Sequence, residues 1–308
     1  MIVRNLITDM LETLRALRDI KGFKHVFLLI DPLAGSAPLA KWEGLVPSDK
    51  QWALRDLNFR DTTFPSPRLF LLDQASDELL EASLRCAGAA EDLHDVVTPN
   101  PAICGWLLAR GVPSDVPRHL VAAMQQRNAK FEPVLLRYYD PRALARLNRI
   151  LDDEQRQQLL GPIEHWFALD RFGKLGELQT QPPAPYISST LKATAEQWAS
   201  IERIEAFNRS AALLEQVNGN PLPVEKEAEL DAALSRSAAT GLSAIDDAIT
   251  FALYSLTVGP RFDQHPSVAA ALTSTRSGQG RLADALESLP EHVWKEISDP
   301  SSQQTEQV

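Results

Sequence analysis

The apolar residues near the N-terminus recur with the period of a helix. Eight of them, from Ile2 to Leu17, are spaced at intervals of three and four residues, and the pattern ends near Gly22. A helix with this spacing has one apolar face, which packs on the rest of the protein. The sequence therefore predicts an N-terminal helix.

Four short apolar runs follow, at residues 25–31, 68–73, 102–108 and 133–139. Continuous runs of this kind are typical of strands that are buried on both faces. The third run is equally compatible with a helix, because Ala102 and Gly105 weaken a strand assignment. Helical patterns occupy residues 77–85 and 142–151. This alternation predicts an α/β N-terminal lobe with a mostly parallel or mixed sheet flanked by helices.

The pattern changes after Trp166. Residues 179–186 contain three prolines within four positions, which forbids a helix and favours an extended connector. Beyond it only helical patterns recur, at residues 190–217, 225–236, 243–256, 266–272 and 281–289. We therefore expect an α/β domain at residues 1–180, an all-α C-terminal lobe at residues 187–300, and a disordered polar tail at residues 301–308.

The charge balance bears on possible partners. The chain has 31 Lys and Arg against 41 Asp and Glu, a formal net charge of -10. Such a surface repels phosphate backbones, so nucleic acid is not an expected partner. Most of the excess negative charge lies in the second part of the chain, which favours a partner with a basic face there.

Cysteine usage and hydropathy bear on the compartment. Cys86 and Cys104 both lie in apolar surroundings, where a free thiol behaves as a small hydrophobic group, so no disulfide is expected. Charged residues interrupt the N-terminal helix pattern, which excludes a signal peptide, and no run is long enough to span a membrane. The sequence predicts a cytoplasmic protein with no membrane partner.

Candidate chemistry is limited to three aspartates that end strand-like runs, namely Asp31, Asp73 and Asp140. Carboxyl ends of parallel strands collect ligands, so one reading is a divalent metal site. The other reading is that Asp31 and Asp140, each followed by proline, are helix N-caps. The histidines form no local metal-binding spacing, and neither a nucleophile elbow nor a phosphate loop occurs. We expect no enzyme activity, no cofactor and no metal.

The segment from Val134 to Arg142, followed by residues 159–163 and Trp166, resembles the signature of the effector adaptor-chaperone family of bacterial type VI secretion. That family's pattern is a strand ending in Arg, two aromatic residues, Asp, Pro and Arg, then a helix and a Gly-Pro turn. Every one of these positions is matched. Residues 25–31 look like the family's opening strand, and residues 259–266 look like a turn in its helical lobe. The clear resemblance covers roughly residues 25–172.

The resemblance implies a non-catalytic adaptor chaperone. Such a protein binds one effector toxin and loads it onto the trimeric spike protein, or its tip, for delivery. Two other functions remain open: a metal-dependent enzyme that uses the strand-end aspartates, and an immunity protein that neutralises a toxin.

Seven residues are candidates for partner binding: Arg137, Tyr138, Tyr139, Asp140, Arg142, Trp42 and Trp166. Tyrosine, tryptophan and arginine dominate binding hot spots. The alternative for the motif is structural, with an arginine fork holding Asp140 at the strand-to-helix corner. Strand alternation predicts that at most one of the two tyrosines faces outward. Trp42 is either packed on the core or offered to a partner, and the helical stripe from Ile201 to Leu214 is expected to be core.

Overall fold

A computed structural model describes the fold of residues 2–21, 23, 25–34, 39–55, 66–72, 77–91, 96–99, 102–170, 172–180 and 190–298. The chain divides into two compact units, Met1–Trp198 and Ala199–Val308. The expected connector and the expected tail fall largely on residues 181–189 and 299–308, which lie outside the described residues.

The first unit contains ten strands and six complete helices among its described residues. The strands are β1 (His25–Ile30), β2 (Gln51–Ala53), β3 (Arg68–Leu72), β4 (Gly88–Glu91), β5 (Val96–Pro99), β6 (Ile103–Ala109), β7 (Gln125–Arg127), β8 (Pro133–Leu135), β9 (His165–Leu169) and β10 (Leu175–Gln179). The helices are α1 (Ile2–Lys21), α2 (Leu39–Leu45), α3 (Asp77–Ala87), α4 (Asp115–Met124), α5 (Pro141–Ile150) and α6 (Asp153–Leu160). Six strands form one sheet in the order β10-β9-β6-β1-β3-β2, and β4-β5 and β7-β8 form two separate hairpins.

Every pairing in the main sheet is antiparallel, so the prediction of a mostly parallel or mixed sheet was wrong. The prediction relied on the alternation of strand-like and helical patterns and on continuous apolar runs such as that of β1. On one face of this strand Val26, Leu28 and Ile30 share a core with residues of α1 and α3, while Phe27 and Leu29 are also fully buried on the other face. A strand has an uninterrupted apolar sequence when both of its faces are buried, and this burial does not determine whether the neighbouring strands are parallel or antiparallel.

Two further differences concern which segments belong to the main sheet. The run at residues 133–139 forms a strand only over β8, which pairs with β7 outside the main sheet. β9 and β10, in contrast, form one edge of the main sheet where the sequence pattern had faded. The third run is a strand, β6, and its seven residues are all buried.

β6 contains a bulge near its start. Leu29 of β1 pairs with Gly105, and the next residue, Ile30, pairs with Ile103, so that Cys104 is an extra residue on β6. Gly105 has a φ of 135°. The indole N–H of Trp166, on the other side of β6, donates to the carbonyl of Cys104 at 3.2 Å.

His119 on α4 packs against the turn that ends α6. Its Nε2 donates to the carbonyl of Leu159 at 2.9 Å, and the ring is almost completely buried. The ring lies against Gly161, which has a φ of 55°. Burial lowers the pKa of His119 below its ordinary value, and the hydrogen bond to Leu159 opposes this shift only in part.

We expect the free energy of unfolding to decrease as the pH is lowered, because His119 is buried. In the unfolded chain this side chain titrates near about 6.5, whereas the folded protein binds the proton only at lower pH. Its contribution is therefore complete above about pH 6.5 and is lost as the pH falls toward the folded pKa. The measurement is the free energy of unfolding by urea between about pH 7.5 and about pH 5, for the natural protein and for His119→Gln. The advantage of the natural protein over the variant should shrink as the pH falls, and a constant difference would contradict the prediction.

Helices and the turns between them make up the described residues of the second unit, which contain no strand and include a short 3-10 helix at Phe262–Gln264. The α-helices are α7 (Ala195–Glu202), which begins in the first unit, α8 (Ile204–Asn218), α9 (Val224–Ala239), α10 (Ile245–Thr257), α11 (Pro266–Arg276), α12 (Leu282–Glu287) and α13 (Glu291–Ser298). Of the predicted stripe, Phe207, Ala211 and Leu214 lie in the core shared by α8, α9 and α10, and Ile201 and Ile204 are also buried. The all-α character of this region is confirmed, and none of the described helices is long and apolar enough to cross a membrane.

Candidate functional site

Asp31 follows β1 and is buried beside the start of β6. Its backbone N–H donates to the carbonyl of Ala102 at 2.8 Å, which extends the pairing of the two strands. Its carboxylate accepts a hydrogen bond from the backbone N–H of Leu33 at 3.0 Å and one from Nη2 of Arg137 at 2.7 Å. The carboxylate is thus held by a turn and by an arginine, and the proposed helix N-cap is not formed here, since residues 32–34 make a turn.

Asp140 caps the N-terminus of α5, as one of the two sequence interpretations predicted. Its side chain accepts from the backbone N–H of Arg142 at 2.9 Å, and Pro141 occupies the first turn. The guanidinium of Arg142 binds the same carboxylate through two hydrogen bonds, of 3.0 Å and 2.6 Å. Burial acts to raise the pKa of Asp140, but the hydrogen bonds and charge of Arg142, together with the charge of Arg137, hold it below its ordinary value.

Tyr139 contacts the ion pair of Arg137 with Asp31. Its hydroxyl oxygen accepts a hydrogen bond from Nε of Arg137 at 3.2 Å, while Nη2 of the same guanidinium binds Asp31. Burial raises the pKa of Tyr139 to about 12, so its hydroxyl stays protonated at neutral pH. We call Asp31, Arg137, Tyr139, Asp140 and Arg142 the arginine corner.

The arginines are the exposed part of this corner. The side chains of Arg137 and Arg142 are 46% and 57% exposed, whereas those of Asp31 and Asp140 are 1% and 15% exposed. The corner therefore presents two guanidinium groups to solvent, each oriented from behind by a buried or nearly buried carboxylate. Arginines that are held in this way lose little conformational entropy when they bind a partner.

Tyr138 lies in the core beneath the corner. It is completely buried and its ring packs edge-on against Trp166, with 5.8 Å between the ring centroids. Burial raises the pKa of its hydroxyl. Among the residues that the structure describes, this hydroxyl has no hydrogen-bond partner.

Phenylalanine substitutions should separate the roles of the two tyrosines. Tyr138→Phe removes a buried hydroxyl without a described partner, so the free energy of unfolding should stay the same or rise by about 1 kcal/mol. Tyr139→Phe removes the hydrogen bond from Arg137 and should lower that free energy by about 1 kcal/mol. Chemical denaturation of both variants tests this, and a larger loss for Tyr138→Phe than for Tyr139→Phe would show the assignment to be wrong.

Four of the seven predicted partner-binding residues lie in the arginine corner: Arg137, Tyr139, Asp140 and Arg142. Four of the seven are buried: Tyr138, Tyr139, Trp42 and Trp166. Both tyrosines are buried, which agrees with the prediction that at most one of them faces outward. The reason given for it does not hold, because residues 138–140 form a turn, where strand alternation does not apply. Trp166 is buried on β9, and Trp42 lies in the core of the first unit, on α2. The exposed candidates are Arg137 and Arg142, and their role in binding stays a prediction.

Sequence reasoning missed the pairing of Asp31 with Arg137. The two residues are 106 positions apart, and no local pattern connects them. The only signal was that both belong to segments of the family signature, the opening strand and the Arg-Tyr-Tyr-Asp-Pro-Arg string.

The alternative of a metal site on three aspartates assumed parallel strands. β3 runs opposite to β1, so that its last residue, Leu72, pairs with Val26 near the start of β1. Asp73 lies outside the described residues. Asp31 and Asp140 each bind an arginine, and among the described residues no group of three or more His, Cys, Asp or Glu side chains is placed to hold a metal ion. Cys104 beside them is a free, buried thiol whose pKa is raised by burial and by the charges of Asp31 and Asp140.

The fold and the site together define a protein with an antiparallel α/β unit, which carries the arginine corner, and a helical unit. Residues 26–158 match the family described as "Domain of unknown function (DUF4123)". The match covers less than half of the 308 residues and includes the whole arginine corner, while the helical unit lies beyond it. Neither the curated proteins nor the solved structures contain a significant match to this chain.

Proposed function

We propose that this protein is a non-enzymatic adaptor chaperone, which binds a type VI secretion effector toxin in the bacterial cytoplasm and loads it onto the trimeric spike protein or its tip. The observation that carries the proposal is the coincidence of two similarities. The family match over residues 26–158 contains the complete Arg-Tyr-Tyr-Asp-Pro-Arg string, on which the resemblance to the adaptor family rests.

The chemistry of the arginine corner supports binding over catalysis. The carboxylates of Asp31 and Asp140 are engaged by arginines, and Tyr139 stays protonated, so these groups are not poised as a general base or a nucleophile. The arginine side chain has five N–H donors, and within the described part of the chain Arg137 and Arg142 bind Tyr139, Asp31 and Asp140 through their Nε and Nη2 groups. The Nη1 groups suit carbonyl or carboxylate oxygens of a partner protein.

The fixed orientation of the two guanidinium groups also suits a protein contact with one defined geometry. A guanidinium that is already fixed by a buried carboxylate presents its remaining donors in one orientation. Half-exposed arginines of this kind are frequent hot spots of protein interfaces. We propose that Arg142 contributes directly to the contact with a partner and that Arg137 supports the same surface while it stabilises Asp31.

The test is a three-component assembly experiment. The protein is co-expressed with a tagged spike protein and the toxin encoded beside it, and pull-down with gel filtration measures whether the toxin joins the spike. We expect a ternary complex only when this chain is present. If the chain binds neither protein, the proposal is wrong.

Variants of two arginines test whether the arginine corner takes part in the complex. Arg142→Gln should weaken the complex at least about tenfold, because it removes an exposed guanidinium that a carboxylate orients. Arg118→Gln is the matched control, since Arg118 is also exposed, lies within the family match and pairs with an aspartate, Asp115, near the start of a helix. The control should retain the complex, and equal weakening by both changes would remove the corner from the proposal. Inhibition of the toxin without delivery to the spike would identify an immunity protein instead.

A further inference from the structure

The hairpin of β7 and β8 carries an unusual aromatic residue at its tip. Phe131 is 78% exposed, which makes it the most exposed aromatic side chain among the described residues. Its φ is 62°, and it is the one non-glycine residue in the described chain with a positive φ. A bulky residue in this conformation is a true outlier, since glycine or asparagine would adopt it at lower cost.

The loop around Phe131 is held by its own hydrogen bonds. The side-chain oxygen of Asn128 accepts from the backbone N–H groups of Lys130 and Glu132, both at 3.0 Å. The backbone N–H of Phe131 donates to the carbonyl of Asn128 at 2.9 Å, and Nη1 of Arg127 donates to the carbonyl of Phe131 at 2.8 Å. Both backbone groups of the strained residue are therefore engaged, and its conformation is fixed.

The base of the hairpin is tied to the body of the first unit. The buried side chain of Gln126 donates to the carbonyl of Ala123 and accepts from the backbone N–H of Leu191, each at 2.8 Å. Leu136, directly after β8, donates its backbone N–H to the carbonyl of Met124 at 2.8 Å. The hairpin is thus a fixed projection with Phe131 at its end.

The charged neighbours of Phe131 indicate which kind of surface would bind its ring. Arg127 and Lys130 are exposed cations beside it, and the one acidic neighbour, Glu132, receives a hydrogen bond from the amide of Asn128. An exposed aromatic ring with two cations and one carboxylate as neighbours has a net positive surrounding, which is complementary to an apolar pocket with carboxylates on its rim. A protein surface offers both features in one place.

We propose that Phe131 is a binding anchor, which inserts into an apolar pocket with an acidic rim on a partner protein. The proposal rests on the proposed function, because it takes the partner to be one of the two proteins that the adaptor brings together, the spike or the toxin. The strained and hydrogen-bonded loop pre-organises the ring, so that little entropy is lost on binding.

The experiment measures dissociation constants of the whole chain for the purified spike protein and, separately, for the purified toxin. Phe131→Asn removes the ring and supplies a residue that tolerates a positive φ, so the variant should fold with unchanged or higher thermal stability. It should bind at least one of the two proteins about thirtyfold more weakly. Phe172→Ala is the control, because Phe172 is also an exposed aromatic, at 45%, in the loop between β9 and β10 of the same unit. It should change binding less than about threefold.

The possible outcomes separate the two proposals. If the natural protein binds and Phe131→Asn binds equally well, the anchor is overturned and the adaptor function stands. If both phenylalanine variants weaken binding equally, the specific role of Phe131 is likewise overturned. If the natural protein binds neither the spike nor the toxin, the adaptor function fails and the anchor fails with it.

Discussion

Replacing Gly105 with alanine is expected to lower the free energy of unfolding of the first unit by roughly 3–5 kcal/mol. A Cβ at this position would lie 2.2 Å from the carbonyl oxygen of Phe167 and 2.8 Å from Nε1 of Trp166. The first contact is with the backbone of β9, which cannot move without breaking its pairing with β6. The φ of 135° adds strain for any residue with a side chain. A loss of this size is a large part of the stability of an ordinary domain.

The effect of Gly105→Ala is measurable by chemical denaturation with tryptophan fluorescence. Five of the six tryptophans lie in the first unit, so the signal reports mainly on it. Gly176→Ala is the control, because Gly176 also lies on a strand of the sheet but its added Cβ would meet only the carbonyl of Ala168, at an ordinary 3.7 Å. This variant should be neutral or slightly stabilising. Equal stability of the two variants would mean that the bulge is not built as described.

The second large effect is expected at the turn after α6. In Gly161→Ala the new Cβ would lie 2.3–2.5 Å from three atoms of the His119 ring, at a residue with a φ of 55°. The ring is buried and holds the carbonyl of Leu159, so it cannot turn aside without losing that hydrogen bond. We expect a loss of roughly 3 kcal/mol in the free energy of unfolding.

Gly219 serves as a control that separates backbone strain from the clash with His119, because it also follows a helix with a positive φ. Gly219 ends α8 with a φ of 66°, and a Cβ there would meet nothing within 4 Å. Gly219→Ala should cost only about 1 kcal/mol, from the left-handed conformation alone. In addition, the double change His119→Ala with Gly161→Ala should cost less than the sum of the two single changes, because the smaller side chain relieves the contact. Strict additivity would contradict the proposed clash.

Gly105 bears on the proposed function through the position of the arginine corner. The bulge at Gly105 sets the register of β6 where Ala102 receives the backbone hydrogen bond of Asp31. Asp31 in turn orients Arg137. We therefore expect that Gly105→Ala weakens partner binding as well as stability, whereas Phe131→Asn weakens binding without a loss of stability.

Local patterns in the sequence predicted the local structures. The three-and-four spacing predicted α1, and the apolar runs predicted β1 and β3 but left β6 open between a strand and a helix. The Asp-Pro pair at Asp140 gave the N-cap of α5 as one of two interpretations. The arginine fork on Asp140 was also predicted, because Arg142 is only two residues away. Helix periodicity, capping and short-range ion pairs depend on neighbours in the chain, so the sequence contains the information directly.

By itself, then, the sequence determined an α/β unit followed by a helical unit and the resemblance on which the function is proposed, and it offered the capped corner at Asp140 as one of two interpretations. Only the tertiary structure decided the antiparallel direction of the sheet, the pairing of Asp31 with Arg137, the burial of Tyr138 and Tyr139, and the projection of Phe131. The first three depend on which distant segments pack together, and the projection of Phe131 depends on the hydrogen bonds of its own loop and on those at the base of the hairpin. An apolar run has the same pattern in either strand direction, and an arginine has the same local sequence whichever of several aspartates it binds.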